Sequence, residues 1–407
     1  MQNKSFDIRL NECREAALDV LKPSKMDLEH GLELHKNSTV CDTYGFAPCC
    51  PVDFEKLIKL AEAGCSPSYF MESKEEMQNF RHFEDKALYD EYVRTFKESG
   101  VTCIFQNAGV ENQEVKQLLK RLAYFTYVTD KMPELFKRAA FSEDIEKAAK
   151  ENKHCLYLSA NAVPLDGTWG SAMEELSYIK VFFQMGIRMM HLTYNRRNMI
   201  GDGCAEKANA GLSDFGRSVV AEMNRTGVIV DIAHCGENTG LEAARISSKP
   251  IVASHTCASA INEHYRCKSD NVIKSVADSG GYVGICLIQN FLGGNGDINT
   301  LLDHISYIGK KFGADHVAIG SDVNFALSGF TEALERISAV RPKFQSWASF
   351  WPPEKEKRTF TERSSKSISW INWPMFTVGL VQRGFSDDEI KKIIGGNMLR
   401  VATEALK

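Results

Sequence analysis

The chain has 407 residues, 49 Lys and Arg against 53 Asp and Glu, and a formal net charge of −4. This near balance argues against a nucleic-acid-binding protein, because such domains carry a clear basic excess. With 43% hydrophobic and 25% charged residues, the composition is globular and excludes a disordered, collagen-like or coiled-coil chain. The longest apolar runs are strand-sized and fall short of the roughly 20 residues that a membrane helix needs. We therefore expect no membrane partner.

The amino terminus lacks the continuous apolar core of a secretory signal, so we expect a cytoplasmic location. The 12 cysteines lack the paired spacing of a small disulfide-rich domain, which predicts reduced thiols.

Eight short apolar or β-branched runs predict eight strands. They occupy residues 38–44, 101–106, 154–163, 187–193, 227–233, 250–255, 281–288 and 316–322. Segments with apolar residues at helical spacing lie between them, such as 214–225, 239–247, 270–279 and 301–312. Strands that alternate with helices form a parallel sheet, and eight such units predict a single (βα)8 barrel domain over residues 1–407.

Two segments exceed a minimal barrel. Residues 54–100 follow the first strand and are helical and charged, and residues 323–369 follow the eighth strand. Insertions between a strand and its helix lie at the carboxyl face of a barrel, where active sites are found. The second insertion contains the aromatic residues Phe344, Trp347, Phe350 and Trp351. Three interpretations stay open: a lid that stacks on substrate, a subunit contact, or packing under a long loop.

Residues at the carboxyl ends of barrel strands point into the mouth. The predicted strand ends are Tyr44, Gln106, Asn161, Tyr194, His234, His255, Ile288 and Asp322. His234 and His255 end consecutive strands, so we expect their imidazoles side by side on one wall of the mouth. Asp231 lies three residues before His234, and strand alternation predicts that its carboxylate faces the helices.

Several motifs resemble those of the membrane (renal) dipeptidases of the amidohydrolase superfamily. They are GLSDFG at 211–216, VAEMN at 220–224, VDIAH at 230–234, SH at 254–255, IGSD at 319–322, NWP at 372–374 and GGN at 395–397. The resemblance spans about residues 153–402. It implies a (βα)8 metallopeptidase that hydrolyses dipeptides with two zinc ions.

Carried over residue by residue, the resemblance implies roles for four positions. His234 and His255 match the two histidines of one zinc ion, Asp322 matches the catalytic carboxylate, and Arg266 matches the arginine that binds the substrate carboxylate.

The rest of the family's site differs in this sequence. Tyr44 and Phe46 stand where the family has the His-x-Asp ligands of the other zinc ion, and Asn161 stands at the position of the bridging glutamate. Tyr194 replaces a substrate-site histidine, and Asn195 follows it. An amide bridges two cations poorly, so we do not expect a dinuclear site.

We expect at most one divalent ion, zinc or a similar metal, on His234 and His255. Asp166 or water would complete its shell. The substrate would be a dipeptide or a related amide with a carboxylate, bound by Arg266 beside Asn161 and Asn195.

Two other functions stay open. In a metal-free lyase or isomerase, His234, His255, Tyr44 and Tyr194 would supply the general acid and base. In a catalytically inactive barrel, the mouth would bind a ligand without turnover. The resemblance also implies a homodimer as the oligomeric state to test.

Overall fold

A computed structural model of the chain describes residues 5–109, 111–168, 170–338, 347–348, 350–351 and 358–407. Phe344, one of the aromatic residues of the second insertion, lies outside the described residues.

Eight strands form one parallel sheet in the order β1 to β8, so each strand pairs with its neighbour in sequence. The strands are β1 (Cys41–Gly45), β2 (Cys103–Asn107), β3 (Cys155–Ala160), β4 (Ile187–His191), β5 (Ile229–Asp231), β6 (Ile251–Thr256), β7 (Tyr282–Ile285) and β8 (Val317–Ile319). Each of the eight predicted runs overlaps one of these strands.

Contacts between the first and last strands bring the two edges of the sheet together. The Thr43 hydroxyl on β1 donates to the carbonyl oxygens of Ser254 at 2.9 Å and Ile319 at 3.1 Å. Just beyond β8, the backbone N–H of Asp322 donates to the carbonyl oxygen of Tyr44 at 2.9 Å. The predicted (βα)8 barrel is therefore confirmed.

Helices alternate with the strands and surround the barrel. They are α1 (Phe6–Leu21), α2 (Lys25–Lys36), α3 (Phe54–Glu62), α4 (Pro67–Phe80), α5 (Lys86–Ser99), α6 (Val115–Lys131), α7 (Ser142–Lys150), α8 (Ala172–Gln184), α9 (Asp214–Thr226), α10 (Glu237–Ile246), α11 (Asp270–Asp278), α12 (Gln289–Leu292), α13 (Ile298–Phe312), α14 (Phe330–Ser338), α15 (Glu362–Ser367), α16 (Trp373–Gln382), α17 (Asp387–Lys391) and α18 (Asn397–Ala405). Short 3₁₀ turns span Arg81–Phe83, Ala314–His316 and Trp370–Asn372, and a π-helical turn spans Lys392–Gly396.

Capping residues set where the helices of the second half begin and end. The Ser213 hydroxyl accepts from the backbone N–H of Gly216 at 2.9 Å and starts α9, and the Ser269 hydroxyl starts α11 in the same way. Gly227 ends α9 with a φ of 95°, a left-handed conformation that glycine adopts without steric cost. This turn directs the chain into β5.

Strand side chains alternate between two apolar layers. Phe105, Met189 and Val252 belong to a cluster that also contains Met398 and Val401 of α18. Neighbouring residues on the same strands pack in a second cluster with the surrounding helices. Such dense packing gives the strand ends a rigid frame.

The two insertions pack against each other through a small apolar cluster. Val52 and Leu57 contact Ala333 and Ile337 of α14 there. None of the described helices is both long enough and apolar enough to cross a membrane.

Candidate active site

Two buried histidines occupy the mouth of the barrel. His234 follows β5, His255 lies on β6, and their Nε2 atoms are 3.0 Å apart. The side chains are almost entirely inaccessible to solvent. The structure therefore brings together the two imidazoles that the strand ends place on one wall.

The outer nitrogen of each imidazole has a fixed partner. Nδ1 of His234 lies 2.8 Å from Oδ1 of Asn195, an oxygen that can only accept a hydrogen bond. Nδ1 of His255 lies 2.8 Å from the Ser254 hydroxyl, whose own proton is donated to Asp231. Each Nδ1 thus has a protein partner, and the two Nε2 atoms lie against each other.

The electrostatic surroundings keep both rings neutral. Burial lowers the pKa of His234 and of His255 well below its ordinary value, and the nearby positive charge of Arg266 lowers both further. The two Nε2 atoms thus lie 3.0 Å apart in a place that disfavours an added proton. Neutral imidazole is the form of histidine that binds metal ions.

Tyr44, at β1, covers one face of His255. The two rings stack with centroids 3.8 Å apart, and the Tyr44 hydroxyl donates to Oδ1 of Asn161. Burial raises the pKa of Tyr44 well above its ordinary value, so the hydroxyl keeps its proton. The ring also makes an edge contact with Phe46, with centroids 5.9 Å apart. These aromatic rings fill the space beside the histidine pair.

Tyr194 covers His234 in the same way. The ring centroids are 3.9 Å apart, and burial raises the pKa of Tyr194. The next residue, Asn195, is buried, and its Nδ2 makes no hydrogen bond to any described residue. An unsatisfied buried amide of this kind is available to a ligand.

Asp322 follows β8 and is held by backbone geometry. Its φ is 58°, in the left-handed region that non-glycine residues seldom adopt, and its N–H bonds to Tyr44. Burial raises the pKa of its carboxyl group to about 7. The buried carboxylate of Asp42 accepts from the N–H of Ser321 at 2.8 Å and from Nε1 of Trp370 at 2.9 Å. The first of these bonds holds the residue that precedes Asp322.

Arg266 is fully buried behind the histidine pair. Its guanidinium donates to the carbonyl oxygen of Ala233 and, at 2.9 Å, to that of His255. These bonds tie together the two segments that carry the histidines. The predicted bond to a substrate carboxylate stays a prediction, and Nε is the guanidinium nitrogen without a hydrogen-bond partner among the described residues.

A polar group that was not predicted lies deeper in the barrel. His191 ends β4, and its Nε2 is 2.7 Å from Oδ2 of Asp231 at the end of β5. The two residues are paired in register, and both are fully buried. Ligand atoms of His191, Asp231 and His255 lie within 4.8 Å of one another.

The prediction that Asp231 faces the helices was wrong. β5 ends at Asp231 itself, and the chain then turns, so strand alternation does not extend to His234. The carboxylate therefore lies with His191, whose ring centroid is 5.2 Å from that of His255. A histidine that follows two methionines at the end of β4 was the signal that could have identified His191.

Asp166 and the described tryptophans of the second insertion differ in how close they lie to the histidine pair. The Asp166 side chain is exposed and does not belong to the buried group of ligand atoms. The Trp351 ring lies 6.4 Å from His234 and 5.2 Å from Tyr265, measured between centroids. The Trp351 ring therefore lies beside the histidine pair. Trp347 is 63% exposed and stacks on Phe350.

Comparison with known proteins identifies related sequences. A sequence model of the membrane dipeptidase family, peptidase family M19, matches residues 58–343. Dipeptidase tcpJ from Claviceps purpurea (strain 20.1) is 27% identical over 272 residues, which make up 65% of this chain and 56% of that protein. The chain thus matches little more than half the length of that relative.

Solved structures share the architecture. An amidohydrolase from Pseudomonas aeruginosa matches with a TM-score of 0.65 and 24% identity, over 92% of this chain and 99% of its own. A metallopeptidase from Rhodobacter sphaeroides, liganded with a phosphinate mimic of the dipeptide L-Ala-D-Ala, matches with a TM-score of 0.63 and 16% identity, over 90% of this chain and 99% of its own. At these identities the likeness shows the fold alone.

Proposed function

The chain belongs to the membrane dipeptidase family, peptidase family M19, and we propose that it hydrolyses a dipeptide or a related small amide with the help of one divalent metal ion. His234 and His255 would hold the ion through Nε2. The observation that carries the proposal is the pair of Nε2 atoms 3.0 Å apart in a buried site.

The donor set fits a metal ion in both distance and tautomer. In a tetrahedral zinc site, two nitrogens at ~2.05 Å from the metal lie about 3.3 Å apart, close to the spacing here. Metal-bound histidines usually donate their other N–H to a protein acceptor, which orients the ring. Asn195 and Ser254 supply those acceptors for His234 and His255.

The remaining family ligands are replaced by groups that favour a single ion. The Tyr44 ring lies against His255, and its hydroxyl is bonded to Asn161. Because its pKa is raised, Tyr44 stays a neutral phenol and offers no anionic ligand. Neutral Asn161 likewise gives little charge compensation to a second cation.

A bound divalent ion would supply an acidified water and polarise the substrate carbonyl. Asp322 would take the proton during attack and return it to the leaving amine. A general base works best with a pKa near the working pH, and the value of about 7 for Asp322 meets that condition. Tyr194 and the unsatisfied Nδ2 of Asn195 would orient the substrate.

The relatives support a dipeptide-sized substrate. The metallopeptidase from Rhodobacter sphaeroides, which has the same barrel fold, is liganded with a mimic of a dipeptide. The Claviceps purpurea relative is a dipeptidase by name.

A metal-free lyase or isomerase is the second candidate. The tyrosine rings stacked on both histidines favour it, since Tyr44 and Tyr194 keep their protons and could serve as acids beside neutral imidazoles.

An assay of dipeptide hydrolysis tests the proposal. The chain is stripped with a chelator, reconstituted with zinc, cobalt or manganese, and incubated with a panel of dipeptides. We expect turnover that depends on added metal and disappears in the double variant His234→Ala/His255→Ala. His30→Ala is the matched control, because that side chain is 46% exposed on the surface. Turnover by the double variant at the wild-type rate would overturn the proposal.

A further inference from the structure

We infer that Asp231 and Ser254 are positioning residues that fix the tautomer of His255, with His191 holding the far side of the Asp231 carboxylate. The chain of contacts runs across three adjacent strands, from His191 on β4 through Asp231 on β5 to Ser254 and His255 on β6. The inference depends on the proposed function in one respect only: if the site binds a metal ion, the Nε2 atom of His255 is the ligand atom that this tautomer makes available.

The Asp231 carboxylate is at the centre of this series of contacts. Its Oδ1 accepts from the backbone N–H groups of Ala233 at 2.9 Å and Ser254 at 3.1 Å. Its Oδ2 accepts from the Ser254 hydroxyl and lies 2.7 Å from Nε2 of His191. A fully buried carboxylate needs such contacts to compensate for lost hydration.

The carboxylate is therefore ionised and can act only as an acceptor. Burial acts to raise the pKa of Asp231, but His191 and the hydrogen bonds from Ser254 outweigh it, so the pKa lies below its ordinary value. The direction of the next bond follows from this.

The Ser254 hydroxyl has one proton, and Asp231 receives it. Toward Nδ1 of His255, 2.8 Å away, the hydroxyl oxygen can then only accept. His255 must carry its proton on Nδ1, which leaves the Nε2 lone pair directed at His234. Reversing the tautomer would leave no proton between Ser254 and His255, or would turn the Ser254 hydroxyl toward His255 and leave Asp231 short of a donor.

His191 limits the movement of the carboxylate from the opposite side. Its ring is fully buried, with its centroid 5.3 Å from Tyr44 and 5.2 Å from His255. The register pairing of His191 with Asp231 fixes both backbones in neighbouring strands. The carboxylate is thus in contact with three neighbours, Ala233, Ser254 and His191.

Nitrogen-15 NMR of the imidazoles tests the inference directly. The full-length protein with ¹⁵N-labelled histidine is measured as purified and again after dialysis against a chelator. His255 is assigned by comparison with His255→Gln. We expect the Nδ1–H form in both samples, and an Nε2–H form in the chelator-treated wild type would overturn the inference.

Variants at Ser254 separate positioning from bulk stability. Ser254→Ala removes the acceptor, so we expect a mixture of tautomers and an affinity for zinc lowered about 10- to 100-fold, measured by competition with a chelator. Ser254→Thr keeps the hydroxyl and should restore both readouts. The control is Ser218→Ala, an exposed serine on α9. An unchanged tautomer in a folded Ser254→Ala protein would contradict the inference.

The inference and the proposed function fail separately. If the wild-type protein binds no zinc but His255 is in the Nδ1–H form, the metal-dependent hydrolase is excluded and the inference about the His255 tautomer holds. If the protein binds zinc and hydrolyses dipeptides, but the His255 tautomer does not change in Ser254→Ala, the proposed function holds and the inference about Asp231 and Ser254 is wrong.

Discussion

His234 and His255 each use Nδ1 for a bond to a fixed protein acceptor, which leaves Nε2 for chemistry. Tyr44 and Tyr194 stack on the two rings and limit their rotation. The orientation of each imidazole is therefore set by two kinds of neighbour: an amide or a hydroxyl at Nδ1, and one stacked tyrosine ring.

The sequence predicted most members of this group because they end strands. It missed His191, which ends β4 three residues before Tyr194, and it placed the Asp231 side chain on the wrong face. An apolar run does not show where pairing stops, and β5 stops after three residues. Which polar groups share a proton is decided by contacts between strands, and these cannot be read from one strand.

Asp322 gives a prediction for pH. The reactive form is the carboxylate, and burial raises the pKa to about 7, so kcat/KM should rise as pH increases through about 7 and then level off. Asp322→Asn should lower kcat/KM by about 100-fold or more with unchanged metal content. The exposed Asp387→Asn variant is the control. Wild-type turnover in Asp322→Asn would exclude Asp322 as the base.

At the level of strands and helices, the alternation of apolar runs and helical segments was sufficient to predict the barrel. Each strand was found because central strands of a parallel barrel are buried on both faces and therefore read as apolar runs. Contacts within the insertions were not predictable. Arg336 of α14 lies over the ring of Phe54 at 3.8 Å, and nothing local in either segment indicates the other.

The insertion after β8 gives a second prediction. The Trp351 ring lies near His234 and Tyr265, so Trp351→Ala should raise KM for dipeptides several-fold and leave metal content unchanged. Trp347→Ala removes an aromatic ring that is 63% exposed and is the matched control. Steady-state kinetics of both variants provide the measurement. Equal effects of the two substitutions would argue against Trp351 as a cover of the site.

If the Trp-rich insertion forms a subunit contact, a substitution in it should change the oligomeric state. The exposed Trp347 ring, stacked on Phe350, would lie in such a contact. Sedimentation of wild type and Trp347→Ala measures it, and a dimer that dissociates only in the variant would favour the contact over the cover.

For the molecule as a whole, buried histidines predict sensitivity to acid. Burial lowers the pKa of both His35 and His82 to about 4. The folded protein thus holds neutral rings that protonate more readily when unfolded, near 6.5. Their contribution is fully present above about pH 6.5 and is lost as pH falls through about 4.

The size of the acid effect follows from the shift. His35 bonds to the Thr377 hydroxyl and to the carbonyl oxygen of Ser99, and protonation should cost up to about 3 kcal/mol of unfolding free energy. Denaturant unfolding of wild type between pH 7 and 4 measures this loss. His35→Gln should flatten the pH dependence, and the exposed His30→Gln should not. A wild-type stability that does not change over this range would contradict the account.

The most direct test of the central claim is elemental analysis of the full chain purified without chelator, set beside His234→Ala/His255→Ala and the surface control His30→Ala. The facing Nε2 atoms predict about one equivalent of zinc or a similar divalent ion, retained in the control and lost in the double variant. About two equivalents in the wild type, or metal retained by the double variant, would contradict a single ion on this histidine pair.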